Sequence, residues 1–447
     1  MAEEIPTIQV LDKQNWFSQK IIPLPDALPY PELAPSSLRL RTSVLGLTVN
    51  NFTYAALGTL LKWWDVHPLP PSTPAPYNDP SKYGRINAWG YAEVLESTVP
   101  SIPKGSYVWG YVPLGTLAQD LQVRLHENKD IKDQFFVTNE YRKDIMPIYN
   151  RYFVFSTPGS ASAGRGSEGD RKIGEEIKAK TKDVAYDALV RVMHATAYLM
   201  ADFAFSSDPS RILDPAPGPD DNPASAWTQQ DADLSDATVL IFAPGSKVGL
   251  AFASLLRARN GKGKAQGRPR AIIGVSSESS KGFVEGTGIY DSVALTSADP
   301  VTTLKESSHE PGKRVVVFDF GGRAGVGPRW AAALANANAN AKNFLYVGIG
   351  SEIIDPSTAG ARMAAQQQQP PFKMVRVNAD DMRRRAIKKV GEQKYWAEEA
   401  ESWDELRKEG VKGFGVTWGE GMDALAKGWD RLARGDVLPS EGLAYKL

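Results

Sequence analysis

The sequence predicts an α/β fold, in which a small β-barrel-type domain is joined to a doubly wound parallel-sheet domain. Three observations carry that prediction. At 447 residues the chain exceeds one ordinary domain, for which about 100–200 residues is usual. Its first third holds short alternating runs broken by Gly and Pro, the pattern of a compact β domain. From Ala237 onward, continuous apolar runs alternate with helical segments, as a parallel sheet covered on both faces requires.

In chain order, Leu38–Leu47 contains a short alternating stretch with the period of a half-buried strand. Asn50-Asn51-Phe52-Thr53-Tyr54 leads into Ala55–Trp64, which reads as a short helix. Pro68–Pro80 is Pro-rich and reads as an irregular surface loop. Ala88–Glu96 and Ser106–Val112 read as two strands, with Ile102-Pro103-Lys104-Gly105 turning between them. Ser156–Asp170, rich in Ser, Gly and Ala, reads as a mobile insertion. A helix is expected over Asp183–Phe205, then a loop from Asp208 to Asp236.

Ala237–Phe242 is the first strand expected in the parallel sheet, and Ala243-Pro244-Gly245-Ser246-Lys247 turns it into a helix over Val248–Arg259. Further strands are expected at Ala271–Val275, Val293–Leu295, Arg314–Phe320 and Phe344–Ile349. The tail opens on a short strand candidate, Phe372–Val377, and then reads as charged helices packing back across both domains. The expected division assigns residues 1–185 and 355–447 to the barrel-type domain and 186–354 to the parallel-sheet domain. No internal repeat is visible.

Composition narrows the chemistry. Lys+Arg and Asp+Glu are 52 each, a formal net charge of +0, so no concentrated positive field invites a nucleic acid. The 11 tryptophans are not interleaved with a basic stripe either. There is no cysteine, which removes disulfides, thiolate catalysis, Cys-type zinc sites and iron–sulfur clusters together. Four scattered histidines (His67, His126, His194, His309) do not suggest a metal centre, and His67 and His194 read as core residues. No Gly-x-Ser-x-Gly elbow or Walker loop is present. The N-terminus is acidic and no long apolar run occurs, so a cytoplasmic protein without a membrane span is expected. Tyr445-Lys446-Leu447 only half resembles a peroxisomal address.

The most informative segment is the turn after Phe242. A strand that ends in a Gly-containing turn and opens into a helix presents backbone N–H groups to an anion. A glycine fingerprint spaced by three falls on Ala243, Ser246 and Gly249, so only the last glycine is kept. Ser246 offers a hydroxyl and Lys247 a positive charge to a phosphate, although an ordinary turn with a surface lysine has the same appearance. At the end of the second strand, Ser276, Ser277 and Lys281 stand where an NAD binder would place an acid, a pattern that suits the 2′-phosphate of NADP. Glu278 would oppose that phosphate if it turned inward. Gly321 and Gly348, at two further strand ends, allow close approach of a ligand.

On these features the chain resembles the medium-chain dehydrogenase/reductase superfamily, over about residues 36–400. The motifs are Asn50–Ala55 followed by Trp63-Trp64-Asp65, Trp89-Gly90, Gly110-Tyr111, Thr196–Leu199 with Asp202-Phe203, and Ser246-Lys247. More specifically it resembles an uncharacterised, mainly fungal and bacterial branch classed as a domain of unknown function. The resemblance implies a GroES-like barrel domain, a Rossmann domain and, with no Cys ligand available, a zinc-free quinone-oxidoreductase-like enzyme. It implies NADP(H)-dependent reduction of a carbonyl or activated alkene in a small, aromatic or polyketide-like molecule of secondary metabolism, by a homodimer. It places Asn51, Thr53 and Tyr54 beside the nicotinamide: Tyr54 as acid or oxyanion donor, Asn51 as polarising amide, Thr53 as a contact. A packing aromatic is the competing reading of Tyr54. Two other classes stay open: a redox-silent lyase, hydrolase or isomerase in the same cleft, and a non-catalytic binding protein.

Overall fold

A computed structural model describes residues 5–156, 171–216, 227–261, 266–307, 312–337, 343–350 and 372–447. All of the expected insertion except Ser156 lies outside the described residues.

The N-terminal strands β1 (Thr7–Asp12) and β2 (Gln19–Pro23) pair antiparallel, ahead of a long third strand, β3 (Ser37–Leu47). A two-residue strand, β4 (Tyr83–Gly84), joins the other side of β1. There follow β5 (Asn87–Ser97), β6 (Tyr107–Pro113), β7 (Gln119–Leu125), β8 (Gln134–Val137) and β9 (Arg151–Ser156). Their order is β3-β5-β6-β9-β8-β7, and a β3–β7 pairing closes the ring into a barrel. Over Ser37–Leu40 this pairing covers the edge of β3. Register shifts at Arg39/Leu40 and Thr42/Val44 bend β3, which pairs with β7 over its first residues and is released from it further on. Gly110 is required by this packing, because a Cβ there would stand 2.3 Å from the Tyr152 ring.

The second sheet is wholly parallel. Its strands are β10 (Thr238–Phe242), β11 (Ala271–Ser276), β12 (Ser292–Leu295), β13 (Val315–Asp319), β14 (Phe344–Gly348) and β15 (Met374–Arg376). The order β12-β11-β10-β13-β14-β15 reverses direction between β10 and β13, the switch point where open α/β sheets bind ligands. Every residue of β10 and β13 is buried, which explains their unbroken apolar sequences. The α/β architecture of a GroES-like barrel domain and a Rossmann domain is therefore as expected. The sheet takes in β15, which lies beyond residue 354.

Three local expectations change. The helix expected at Ala55–Trp64 runs instead over Asn50–Ala56, with a separate 3₁₀ turn at Trp63–Asp65. Lys62, at φ 63°, turns the chain back there, and Gly58 lies against the Trp64 ring. The helix expected over Asp183–Phe205 is broken into Lys182–Leu189, Arg191–Leu199 and a π turn at Met200–Ala204, because Val190 leaves helical geometry at φ −121°. The tail after Val377 contains helices Ala379–Val390, Glu392–Glu409 and Gly421–Arg434, but also two strands, β16 (Gly415–Glu420) and β17 (Glu441–Lys446). β17 pairs antiparallel with Val44–Leu47 of β3, on the side that β7 has vacated, and so returns the C-terminus to the barrel. No helix among the described residues is long and apolar enough to cross a membrane.

Candidate cofactor and active site

The turn between β10 and the helix Lys247–Ala258 runs through Ala243-Pro244-Gly245-Ser246. Ser246 caps the helix, its Oγ accepting the Gly249 N–H at 3.2 Å. Gly249 is kept for space: a Cβ there would stand 2.9 Å from Ser246 Oγ and 3.0 Å from the Ala243 carbonyl oxygen. Ala243 has φ 53°, so the first fingerprint position keeps the left-handed backbone that favours glycine. On its outer side the turn is braced, because the Tyr290 hydroxyl donates to the Pro244 carbonyl at 2.7 Å. A Cβ on Gly245 would lie 2.9 Å from Pro439 Cβ.

Lys247 is the unusual group. It begins the helix, half-buried, with its ammonium 5.3 Å from the centre of the Phe414 ring. Burial pushes its pKa down to about 8, and no carboxylate offsets that effect among the described residues. The helix N-terminus carries partial positive charge and opposes the ammonium again. Two unfavourable effects thus fall on one cation, and a bound phosphate would relieve both.

Neighbouring strand ends complete the rim. Ser276 is buried and donates to the Ser277 carbonyl at 3.2 Å, while the exposed Ser277 hydroxyl meets Ser279 and Ser280 at 3.2 and 3.1 Å. Lys281 lies 3.7 Å from Glu285 on its own helix, so its charge is partly engaged. At the end of β13, Asp319 accepts the N–H groups of Gly321 (2.9 Å) and Gly322 (2.6 Å) and the Tyr346 hydroxyl. Sequence reasoning passed over Asp319 and Tyr346. The signal was present, since an aspartate two and three residues before a Gly pair commonly accepts their N–H groups. Ideal Cβ atoms on Gly249 and Gly322 would each lie 3.5 Å from Phe320 and Phe242 respectively, so the two turns adjoin across the switch point. Gly348 is half-buried at the end of β14, next along the sheet.

Asn51, Thr53 and Tyr54 occupy the helix Asn50–Ala56 on the barrel side. Asn51 is buried with its amide fully committed to backbone. Its Nδ2 donates to the Asn87 carbonyl at 2.9 Å, and its Oδ1 accepts the Thr48 N–H at 2.8 Å. It therefore locks this helix to β5, and Thr53 is half-buried beside it. The Tyr54 hydroxyl accepts from Trp89 Nε1 at 3.0 Å and from Asn50 Nδ2 at 3.1 Å. Its ring sits among Trp63, Tyr111 and Tyr149 at 4.8, 5.2 and 5.9 Å, and the residue is 3% exposed. Burial raises its pKa to about 12, against the pull of hydrogen bonds from Trp89, Tyr149 and Asn50. The two groups of residues are linked through Asn50, whose Nδ2 lies 3.8 Å from Met193 Sδ on the helix Arg191–Leu199. That helix packs on Lys247–Ala258.

Solved structures share this architecture from end to end. A mutant enoyl thioester reductase from Candida tropicalis aligns with TM-score 0.51 and 12% identity over 100% of both chains. The CurF ER cyclopropanase from the curacin A biosynthetic pathway gives 0.51 and 11% over 99% of each chain. CurA in complex with NADPH from Vibrio vulnificus gives 0.51 and 12% over 98% of each. At such identities the likeness is one of fold. No curated protein matches the sequence. A family model does match, over residues 45–438, and the chain belongs to that family, described as Protein of unknown function (DUF2855).

Proposed function

We propose that this protein is an NADP(H)-dependent, zinc-free reductase acting on the activated alkene or carbonyl of a small molecule. The observation that carries the proposal is Lys247, a half-buried cation without a carboxylate partner among the described residues, at the helix mouth of a dinucleotide-type turn. The fold is shared with enoyl thioester reductases and with an NADPH complex, which favours alkene reduction among the chemistries this architecture serves. NADP(H), when bound, supplies the hydride.

In this reading Lys247 and the N–H groups at the start of its helix hold the pyrophosphate, with Ser246 and Gly249 shaping the turn. Ser276 and Ser277 face the 2′-phosphate, and Lys281 leaves Glu285 to join them. Gly321 and Gly348 present bare backbone at the switch point. Trp89 and Asn50 donate to the Tyr54 oxygen and the Tyr149 hydroxyl is its third partner, so Tyr54 acts as the donor toward a substrate carbonyl when that carbonyl displaces Tyr149. Asn51 is a positioning residue and Thr53 a wall contact. The test is oxidation of NADPH against a series of enoyl thioesters and enones, followed by loss of nicotinamide absorbance. Tyr54→Phe is expected to lower turnover on the order of a hundredfold, with a smaller change in KM. No oxidation with any member of the series would sink the assignment.

One observation favours a redox-silent member of the fold. Ala243 and Ser246 stand where the fingerprint has glycines, and their side chains narrow the approach of a pyrophosphate. Substrate conversion without any nicotinamide absorbance change would mark that case.

A further inference from the structure

Arg85 and Arg142 lie inside the barrel domain, each 1% exposed. Their hydrogen bonds reach neutral oxygens. Arg85 Nη1 meets the Gln119 side chain at 3.3 Å and the Pro68 carbonyl at 3.5 Å, and Arg142 Nη2 meets the Tyr149 carbonyl at 2.8 Å. Among the described residues, Nε and Nη2 of Arg85 and Nε and Nη1 of Arg142 are buried with no acceptor. Both ring nitrogens of the equally buried His67 are also without a well-formed partner, with Gln119 alongside.

These groups are neighbours. Burial first, then the charges of Arg142 and Arg85, push the His67 imidazole well below its ordinary range, so it is neutral and retains one N–H to donate. His67, Gln119 and Tyr152 line one small cavity, and the Arg142 guanidinium stands 5.9 Å from the centre of the Tyr152 ring. A guanidinium does not shed its proton at neutral pH, so two like charges are buried close to one another. Water would satisfy their N–H groups but not their charge, and burying uncompensated charge is strongly unfavourable. Among the described residues, no carboxylate pairs with either guanidinium.

We propose that the barrel binds a small monovalent inorganic anion of the halide class at the cavity lined by His67 and Gln119, with the positive charge supplied from outside its lining by Arg85, which bonds Gln119, and by Arg142, which stands over the Tyr152 ring. The small cavity excludes sulfate or phosphate and leaves a monatomic ion, for which the walls give way by a few tenths of an ångström. The site also bears on the candidate active site. Arg142 holds the Tyr149 backbone, and the Tyr149 ring packs on Tyr54. Occupancy therefore steadies the aromatic wall behind the candidate proton donor.

The test compares thermal unfolding of the full chain in sodium chloride, sodium bromide and sodium gluconate at matched ionic strength, together with crystals grown in bromide. A saturable rise in Tm with chloride and bromide, lost in Arg142→Met, and an anomalous bromide peak beside His67 are expected. Equal Tm in halide and gluconate would overturn the proposal, as would bromide peaks found only elsewhere. Should Arg142→Met not fold, the wild-type salt series and the bromide peak decide alone.

Discussion

Ala243 holds φ 53°, a backbone region that costs an L-residue about 1–2 kcal/mol. Glycine removes that strain but adds freedom to the unfolded chain, so Ala243→Gly is expected to raise stability by about 0.5–1 kcal/mol in urea unfolding. Lys247 should behave in the opposite sense for stability and binding. Lys247→Met removes an ammonium that burial and the helix N-terminus both oppose, so Tm should hold or rise. The same change should weaken NADPH binding by about tenfold to a hundredfold, the worth of one charge-assisted hydrogen bond. Much of this turn was legible, because the strand, the turn and the helix after it follow from local chemistry. Asn51 was not. Its amide meets the Asn87 carbonyl, far away in sequence, and no local pattern reveals that partner. Lys281 had Glu285 one helical turn ahead, a pairing that the spacing alone displays.

Among the elements, the helix Lys182–Leu189 is anchored by the fully buried Asp187. Its carboxylate accepts from the Tyr91 hydroxyl at 2.6 Å and from Trp403 Nε1 at 2.9 Å. Arg171 pairs with it directly, with Arg407 and Arg191 at 3.6 and 3.8 Å. Burial would raise its pKa, but Arg171 foremost, then Arg407 and Arg191, hold the group below the ordinary carboxylate range. Asp187→Asn removes the buried carboxylate that the three guanidiniums share, while Arg171 keeps Glu176 and Arg407 keeps Asp404, and is expected to cost about 3 kcal/mol by denaturant titration. The same cluster shows why the long helix was misjudged, since the break at Val190 separates Asp187 from Arg191 within an otherwise helical apolar pattern. β10, β11, β13 and β14 were legible because burial on both faces leaves a continuous apolar run. β1, β2, β7, β8 and β9 were not. They are short, and strands such as β7 carry exposed residues whose role depends on distant partners. β17 finds its partner in β3, nearly the full length of the chain away.

Over the whole molecule, the C-terminal tail joins barrel and turn: β17 extends the barrel sheet and Pro439 backs Gly245. His194 belongs to the same joint, its Nε2 3.0 Å from Ser402 Oγ on the helix Glu392–Glu409. Burial, and then Arg191, push the His194 pKa to about 3, so the folded protein keeps it neutral. An unfolded chain protonates this histidine near pH 6.5 and so binds more protons between about pH 3 and 6.5. Stability therefore falls as pH drops through that window, by on the order of a few kcal/mol. His194→Gln should reduce the slope of unfolding free energy between about pH 6 and 4, leaving the contributions of the equally buried His67 and of the carboxylates. The central claim, however, is that this assembled turn holds NADP(H). Its most direct test is calorimetric titration of the full chain with NADPH and NADH, repeated on Lys247→Met. The expected result is NADPH binding about tenfold to a hundredfold tighter than NADH, weakened by the substitution. No heat with millimolar NADPH, or equal binding by the wild type and Lys247→Met, would contradict it.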